Sequence, residues 1–385
     1  MLSYILVAFI TSLIAVIWIH PIIVKIALDK NIVDNPNKRK LQSRPIPVLG
    51  GVAVFFGIII GLAFTSKQSE SLSLMPIIAA MLIMLYTGVI DDIINLSARK
   101  RLLMEVGVIS LLIFTNDMTI DNFHGLWGLH EIPRGVAIPL TIFAAVGIIN
   151  SINLIDGVNG LSSGYCILAS AVFGTFFYNT GNVPMVILAT VSIGSLLPFF
   201  FHNVFGKSSK MFIGDGGALV MGLIMSTFVI SALNTASTNS EYFSDASGLI
   251  PFTLAVMVIP VTDTLRVMST RMMRGISPFH PDKTHLHHLF ISLGFSHAGT
   301  TMMILLLNAI AIATQLLTWH IGCSAEVQLY IVIAIGAIMS GGLYHWLSAL
   351  HNDHPCKRAM KAIGRTTHIE RKGLFLVLQR LADKI

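Results

Sequence analysis

Eleven apolar stretches separated by short polar gaps run through this chain, and its positive charge is sorted into alternate gaps. The stretches are Leu2–Val24, Val48–Phe64, Leu74–Ile90, Leu102–Phe114, Val136–Ile152, Leu161–Tyr178, Val183–Phe201, Phe212–Leu233, Leu249–Val267, Thr301–Trp319 and Val327–Leu347. Apolar runs of about 17–25 residues cross a hydrocarbon core of about 30 Å as helices. Their continuous apolar character is unlike the alternation of barrel strands. Hydrophobic residues make up 54% of the chain and charged residues only 11%, against about 25% charged in soluble domains. The expected fold is therefore all-α, a polytopic integral membrane protein with about eleven transmembrane helices. The fourth stretch is the shortest and contains Glu105.

Positive charge fixes the expected orientation. With the N-terminus outside and the C-terminus cytoplasmic, only Lys67 and Arg134 of the 25 Lys and Arg residues fall on the outer side. The first stretch has neither a basic leader nor a small-residue cleavage site, so it reads as an uncleaved anchor. Residues 1–350 read as one transmembrane domain and 351–385 as a basic cytoplasmic tail. Leu374, Leu376, Leu378 and Leu381 have helical spacing, which predicts an amphipathic helix on the membrane surface. The net charge of +6 points to anionic membrane lipid rather than nucleic acid, because the basic residues line membrane edges. Cys166, Cys323 and Cys356 offer neither a plausible bridge nor a metal spacing. No internal repeat is visible, which disfavours the inverted-repeat transporters.

The chemistry-bearing residues lie on the inner side. Asp91-Asp92 ends the third stretch. Adjacent carboxylates at a membrane edge need compensation, either from Arg99, Lys100 and Arg101 as a helix-end pair or from a hard cation such as Mg²⁺. Between the fifth and sixth stretches, Asn150, Asn153, Asp156 and Asn159 share a short run with Gly157 and Gly160. A polar turn accounts for Asp-Gly and Asn-Gly, but not for Asn150 and Asn153 on the turns before them. Gly214-Asp215-Gly216-Gly217 opens the eighth stretch. It reads equally as a helix cap or as a phosphate site on free N–H groups beside a metal-holding carboxylate.

The loop after the ninth stretch holds Asp282, Lys283, His285, His287 and His288. It lacks the HExxH pattern of zinc proteases, so contact with phosphate or sugar is expected there. Glu105 and Asp263 lie within helices, where carboxylates are functional candidates, although Arg266 could hold Asp263 as an i,i+3 ion pair. Arg39 belongs to a basic turn before the second stretch, suited to anionic lipid or a lipid phosphate. Together the clusters describe a Mg²⁺-dependent site, with Mn²⁺ as a substitute ion, handling phosphates at the inner membrane surface.

These motifs resemble the polyprenyl-phosphate N-acetylhexosamine-1-phosphate transferases, the MraY/WecA-like family, over roughly residues 20–300. The resemblance is to the WecA branch, through the His-x-His-His end of the histidine loop. It implies transfer of an N-acetylhexosamine-1-phosphate, most simply GlcNAc-1-phosphate, from a UDP-amino sugar to undecaprenyl phosphate, with release of UMP. This would be the first membrane step of cell-surface polysaccharide synthesis, at the cytoplasmic face of the bacterial inner membrane. It implies Asp91, Asp92 and Asp156 as catalytic acids and Asp215 and Asn153 as Mg²⁺ holders. Asn150, Asn159, Lys283, His285, His287, His288, Asp263, Arg39 and Arg101 would bind substrate. A homodimer is an allowed assembly. Asn95, Asn159 and Gln42 depart from the family pattern, standing where an Asp, an Asp and a His are expected. The rival readings are another UDP-linked (deoxy) amino sugar, a membrane prenyltransferase, for which a second Asp-rich cluster is missing, and a secondary transporter using Asp263 and Glu105.

Overall fold

The computed structural model describes residues 2–35, 44–65, 68–235, 246–280, 282–369 and 373–384. The helices are α1 (Leu2–Asp29), α2 (Gly50–Thr65), α3 (Gln68–Ile94), α4 (Ala98–Asn116), α5 (Arg134–Ile155), α6 (Leu161–Thr180), α7 (Val183–Phe205) and α8 (Gly214–Leu233). They continue with α9 (Leu249–Met273), α10 (Leu286–Ser292), α11 (His297–His320), α12 (Ala325–Gly336), α13 (Leu343–Ala349), α14 (Pro355–Thr366) and α15 (Gly373–Ala382). A π-helical turn, Ala337–Gly342, joins α12 to α13. The strands β1 (Val33–Asp34) and β2 (Ile46–Pro47) pair antiparallel, Val33 opposite Pro47 and Asp34 opposite Ile46.

Every one of the eleven apolar stretches is helical, and the protein is an all-α, multi-pass membrane protein. Among the described residues, nine helical spans are long and apolar enough to cross a bilayer. The two stretches outside that set have visible reasons. Helix α2 is only 16 residues long. Helix α4 opens on Arg99, Lys100 and Arg101 behind its Ser97 cap and contains Glu105.

The chain divides into two compact units. The first comprises Met1–Met118, Ala144–Phe228 and Glu370–Ile385, and the second Thr119–Phe143 and Val229–Ile369. In the first, α1, α2, α6 and α7 pack together. Helix α8 is enclosed almost all round, 94% of its apolar window being buried, as expected for a helix that is apolar on every face. Phe173 and Phe177 of α6 pack on Phe228 of α8, each with ring centroids 5.7 Å apart. Two glycine contacts bring helices close enough to form a site. A Cβ on Gly51 would overlap the backbone of Gly217, and one on Gly88 the backbone of Gly216. Small residues allow this approach between membrane helices.

In the second unit α9 packs against α11 and α12, and buried amides tie the helices. Pro260 lies inside α9, and a proline supplies no N–H to the carbonyl four residues earlier. Asn308 of α11 donates to that carbonyl, Val256 O, at 3.1 Å and accepts from Ile259 N–H at 3.3 Å. Gln315 donates to Gln328 across α11 and α12 at 3.0 Å. An apolar solvent offers such groups no other partner.

Candidate active site

In the first unit the sequence-predicted acids converge. Helix α3 ends at Ile94, and Asn95 takes the left-handed conformation (φ 52°) that closes it, its N–H reaching Asp91 O at 2.8 Å. Asn tolerates this region better than most residues, so the residue that departs from the family's third acid has a backbone role. The turn lets Asp91 Oδ1 accept from Leu96 N–H at 2.7 Å. One residue on, Asp92 reaches across to α8: Oδ1 accepts from Asp215 N–H at 3.2 Å and Oδ2 from Gly216 N–H at 3.4 Å. Of the two readings left open for the start of α8, its first-turn N–H groups of Asp215 and Gly216 are thus capped from within the chain rather than free for phosphate. Asp92 caps the helix, where a negative charge is favoured. Gly214, at φ 69°, makes room, since a Cβ there would crowd Asp92 Oδ2 and Val48 O.

Asp215 is held from two sides. Asn153 Nδ2, near the end of α5, donates to its Oδ1 at 2.6 Å. The chain before it is clasped by main-chain bonds: Phe212 N–H to Pro47 O at 2.8 Å, Gly50 N–H to Phe212 O at 2.9 Å and Gly51 N–H to Ile213 O at 2.7 Å. A second chain of contacts starts at Asp91, whose Oδ2 lies 3.3 Å from Arg101 Nη1. Arg101 Nε lies 3.6 Å from the wholly buried Glu105, which accepts from Asn150 Nδ2 at 2.5 Å. Thus Asp91, Asp92, Arg101, Asn150, Asn153 and Asp215 belong to one connected polar patch, with Glu105 as its buried anchor.

Asp156 lies in the turn between α5 and α6 and accepts from Ser162 Oγ at 2.5 Å. Enclosure pushes its carboxyl up to about 7; the Ser162 bond opposes this and the Asp215 charge adds to it. Asn159 is half-buried in the same turn. The turn is fastened by Asn203 of α7, which the sequence reading missed. Its Oδ1 accepts from Gly160 N–H at 2.6 Å and its Nδ2 donates to Met211 O at 2.7 Å. Its only sequence signal is a polar side chain at the end of an apolar stretch.

The second unit carries the other candidates. Asp263 of α9 and Arg266 form the anticipated i,i+3 pair at 2.6 Å. Arg266 also donates to Thr284 O at 2.6 Å and stacks over the Tyr344 ring. Asp263 further accepts from His285 Nδ1 at 2.9 Å and from Leu286 N–H at 3.2 Å. It thereby seats α10 and fixes the His285 ring. His285 Nε2 is buried and has no hydrogen-bond partner among the described residues. Arg271 grips Asp282 through two bonds of 2.9 Å. Although burial works against it, that grip and the Thr284 donors hold the Asp282 carboxyl well below the usual range.

His287 is driven far below the ordinary imidazole range by burial and then by His288 and His285, and His288 is lowered by burial, His285 and Lys283. His287 and His288 are therefore suited to act as neutral hydrogen-bonding groups rather than as cations. Lys283 is exposed. Arg39 and Gln42 lie outside the described residues.

Among the described residues, no three His, Cys, Asp or Glu side chains converge as a metal cage of their own. The donor set of the acid patch nonetheless fits Mg²⁺, which takes hard oxygens and usually one or two carboxylates plus water and substrate phosphate. Asp215, with Asn153 beside it, offers that partial set. Turning the Asn153 amide over would present its oxygen alongside the carboxylate.

Comparison with known proteins places the chain in a family. A family model described as Glycosyl transferase family 4 matches residues 73–233, the stretch holding the acid patch. A relative from Bacillus subtilis, described as a probable undecaprenyl-phosphate N-acetylglucosaminyl 1-phosphate transferase, is 32% identical over 307 residues, 80% of this chain and 82% of its own. The chain belongs to this family, that of the polyprenyl-phosphate N-acetylhexosamine-1-phosphate transferases. Two further members, described as undecaprenyl-phosphate alpha-N-acetylglucosaminyl 1-phosphate transferases, show the same breadth. The one from Yersinia pestis is 27% identical and the one from Escherichia coli 28%, each over 74% of this chain and 76% of the relative.

Proposed function

We propose that the protein transfers N-acetylglucosamine-1-phosphate from its UDP-sugar to undecaprenyl phosphate, releasing UMP, as the first membrane step of a cell-surface polysaccharide. The reading places the site at the cytoplasmic face of the bacterial inner membrane, with the N-terminus outside. One observation carries it: Asp92, Asn153 and Asp215, from the ends of three different helices, meet within hydrogen-bonding distance, inside a chain whose relatives bear that activity in their names.

The task is phosphoryl transfer between two anions, so their repulsion has to be cancelled. Bound Mg²⁺ would neutralise the donor's pyrophosphate; Asp215 and Asn153 are the residues that would hold it. Asp91 or Asp92 supplies the carboxylate that deprotonates or orients the lipid phosphate. Its oxygen attacks the donor's β-phosphorus, the bond from that phosphorus to the α-phosphate oxygen breaks, and UMP leaves. The sugar C1–O bond is untouched, so the anomeric configuration is kept. Arg101, already paired with Asp91, adds positive charge beside the reacting phosphates. Neutral His287 and His288, together with the unpartnered Nε2 of His285 and the exposed Lys283, suit hydrogen bonding to sugar or phosphate. On α15, Leu374, Val377 and Leu381 are exposed in a helical stripe, which suits a helix lying at the membrane surface.

A transporter reading finds less support. Transporter sites sit near the bilayer midplane on broken helices, whereas Asp91, Asp92, Asn153 and Asp215 lie at helix ends. The test is purified protein in detergent with a panel of UDP-sugars, undecaprenyl phosphate and Mg²⁺, reading UMP and the lipid product. UDP-N-acetylglucosamine is expected to be the best donor, and Asp215→Ala to abolish turnover. Substrate crossing vesicles with no UMP formed would overturn the proposal.

A further inference from the structure

The turn between α7 and α8 is gripped by the far end of the chain. Asp383, just past α15, accepts on its single oxygen Oδ1 from the N–H groups of Lys207 at 2.8 Å, Ser208 at 2.8 Å and Ser209 at 3.1 Å, and lies 3.2 Å from Ser209 Oγ. Three successive N–H groups aimed at one oxygen form a nest, an arrangement that binds anions. Here the chain supplies its own anion, and hydrogen bonds to a charged acceptor are the strong kind. The segment bearing Asp383 is docked rather than loose: Phe375 of α15 packs on Phe205 of α7 with ring centroids 5.1 Å apart, and Phe205 on Phe201 at 5.3 Å.

The same turn is held on its other side. His20 of α1 and His202 of α7 stack at 4.1 Å, their ring nitrogens lying 2.9 Å from Ser209 O and 3.1 Å from Ser209 Oγ respectively. From Ser209 the chain runs directly to Met211, which is wholly buried and tied to Asn203. Next come Phe212 and Ile213, clasped to Pro47–Gly51, and then Asp215. No helix intervenes to absorb a displacement.

We infer that the C-terminal segment is a latch on the loop that leads into Asp215, with Asp383 as a positioning residue for the reaction proposed above, on which this inference rests. A latch explains why the nest is filled from within the chain. It also explains why four donors meet one oxygen.

The experiment compares the full-length wild type with Asp383→Ala and Asp383→Asn, after confirming matched thermal unfolding in detergent. Hydrogen exchange across residues 206–213 reads the latch itself. UMP release as a function of Mg²⁺ and of undecaprenyl phosphate reads its effect. In Asp383→Ala, exchange at 207–209 should quicken at least about tenfold, as the loss of hydrogen bonds to a charged acceptor implies. The Mg²⁺ concentration for half-maximal rate should rise and kcat fall, with KM for undecaprenyl phosphate unchanged. Asp383→Asn keeps an acceptor oxygen without the charge and should lie between the wild type and Asp383→Ala in each measurement.

Wild-type exchange in Asp383→Ala overturns the latch. Faster exchange with unchanged kinetics overturns the positioning role. Equal damage in Asp383→Asn overturns the oxygen-geometry argument. A wild type that releases no UMP sinks the proposed reaction instead, and the exchange measurement still decides whether Asp383 holds the loop.

Discussion

Replacing Gly88 with alanine tests how the acid patch is assembled. A Cβ on Gly88 would fall inside contact distance of Gly216 N, Gly216 Cα and Asp215 C, all of them backbone atoms that have no rotamer to escape into. Non-bonded carbons sit about 3.5–4.0 Å apart, so α3 and α8 would have to part by about 1 Å or more. The two bonds from α8 to Asp92, 3.2 and 3.4 Å long, are already near the upper limit, and a shift of that size removes both. Overpacking of this kind costs about 1–3 kcal/mol of stability. A misplacement of about 1 Å at a reacting centre can cost on the order of 100-fold in rate. Gly88→Ala should therefore fold with a lowered thermal midpoint and release UMP at about 1% of the wild-type rate.

Gly147 of α5 is the internal control, because nothing lies within 4 Å of a Cβ placed there. Gly147→Ala should be neutral in rate and unchanged or slightly raised in stability, by up to about 1 kcal/mol from helix propensity. A folded Gly88→Ala protein with the wild-type kcat would refute the claim that glycine contact sets the Asp92–Asp215 geometry.

Asn308→Leu deletes the donor that serves Val256 O beside Pro260 and should lower stability in detergent by about 1–2 kcal/mol, with activity intact in the folded fraction. Arg101→Ala strips the cation from Asp91 and from buried Glu105. It should reduce kcat strongly, and the double variant Arg101→Ala/Glu105→Gln should recover stability, checked by paired unfolding and UMP-release measurements. Because the pKa of buried His287 is lowered in the fold, the unfolded chain takes up a proton the folded chain refuses once pH drops below about 6.5. Stability should therefore fall from there downward. His287→Gln should flatten that fall, and an identical slope between pH 7.5 and 5 in both proteins would count against it.

The helices were readable because most apolar runs are long and continuous enough to cross a bilayer, and nine spans among the described residues meet that measure; α2 and α4 do not, being respectively short and charged at the start. The acids were readable as well, since Asp91-Asp92, Asn153 and Asp215 interrupt sequence in which a polar residue stands out. What joins them was not readable. Asp92 caps a helix that begins more than a hundred residues later, and no local pattern records such a partner. Asn203 and Asp383 act through bonds to distant backbone, so their residue types carry no signature; Arg101, Glu105 and Asn150 stood out singly, but the contact of Glu105 with Asn150 on another helix did not. The lowered pKa of His287 and of His288 is likewise chiefly a product of burial, which a run of histidines does not reveal. Identity of the reaction came from resemblance to a family; the residues by themselves reached only a magnesium-assisted phosphate site.

The clasp between Pro47–Gly51 and Phe212–Ile213 is made of main-chain atoms, and main-chain pairing does not read side chains. Val48 and Phe212 can therefore drift in evolution while Asp215 stays where it is. Gly50, pressed against the Phe212–Ile213 backbone, and Gly51, pressed against the neighbouring helix, are denied that freedom. A lineage could in this way change the shape of the loop's exterior, and with it the molecules that loop meets, without dismantling the chemistry underneath.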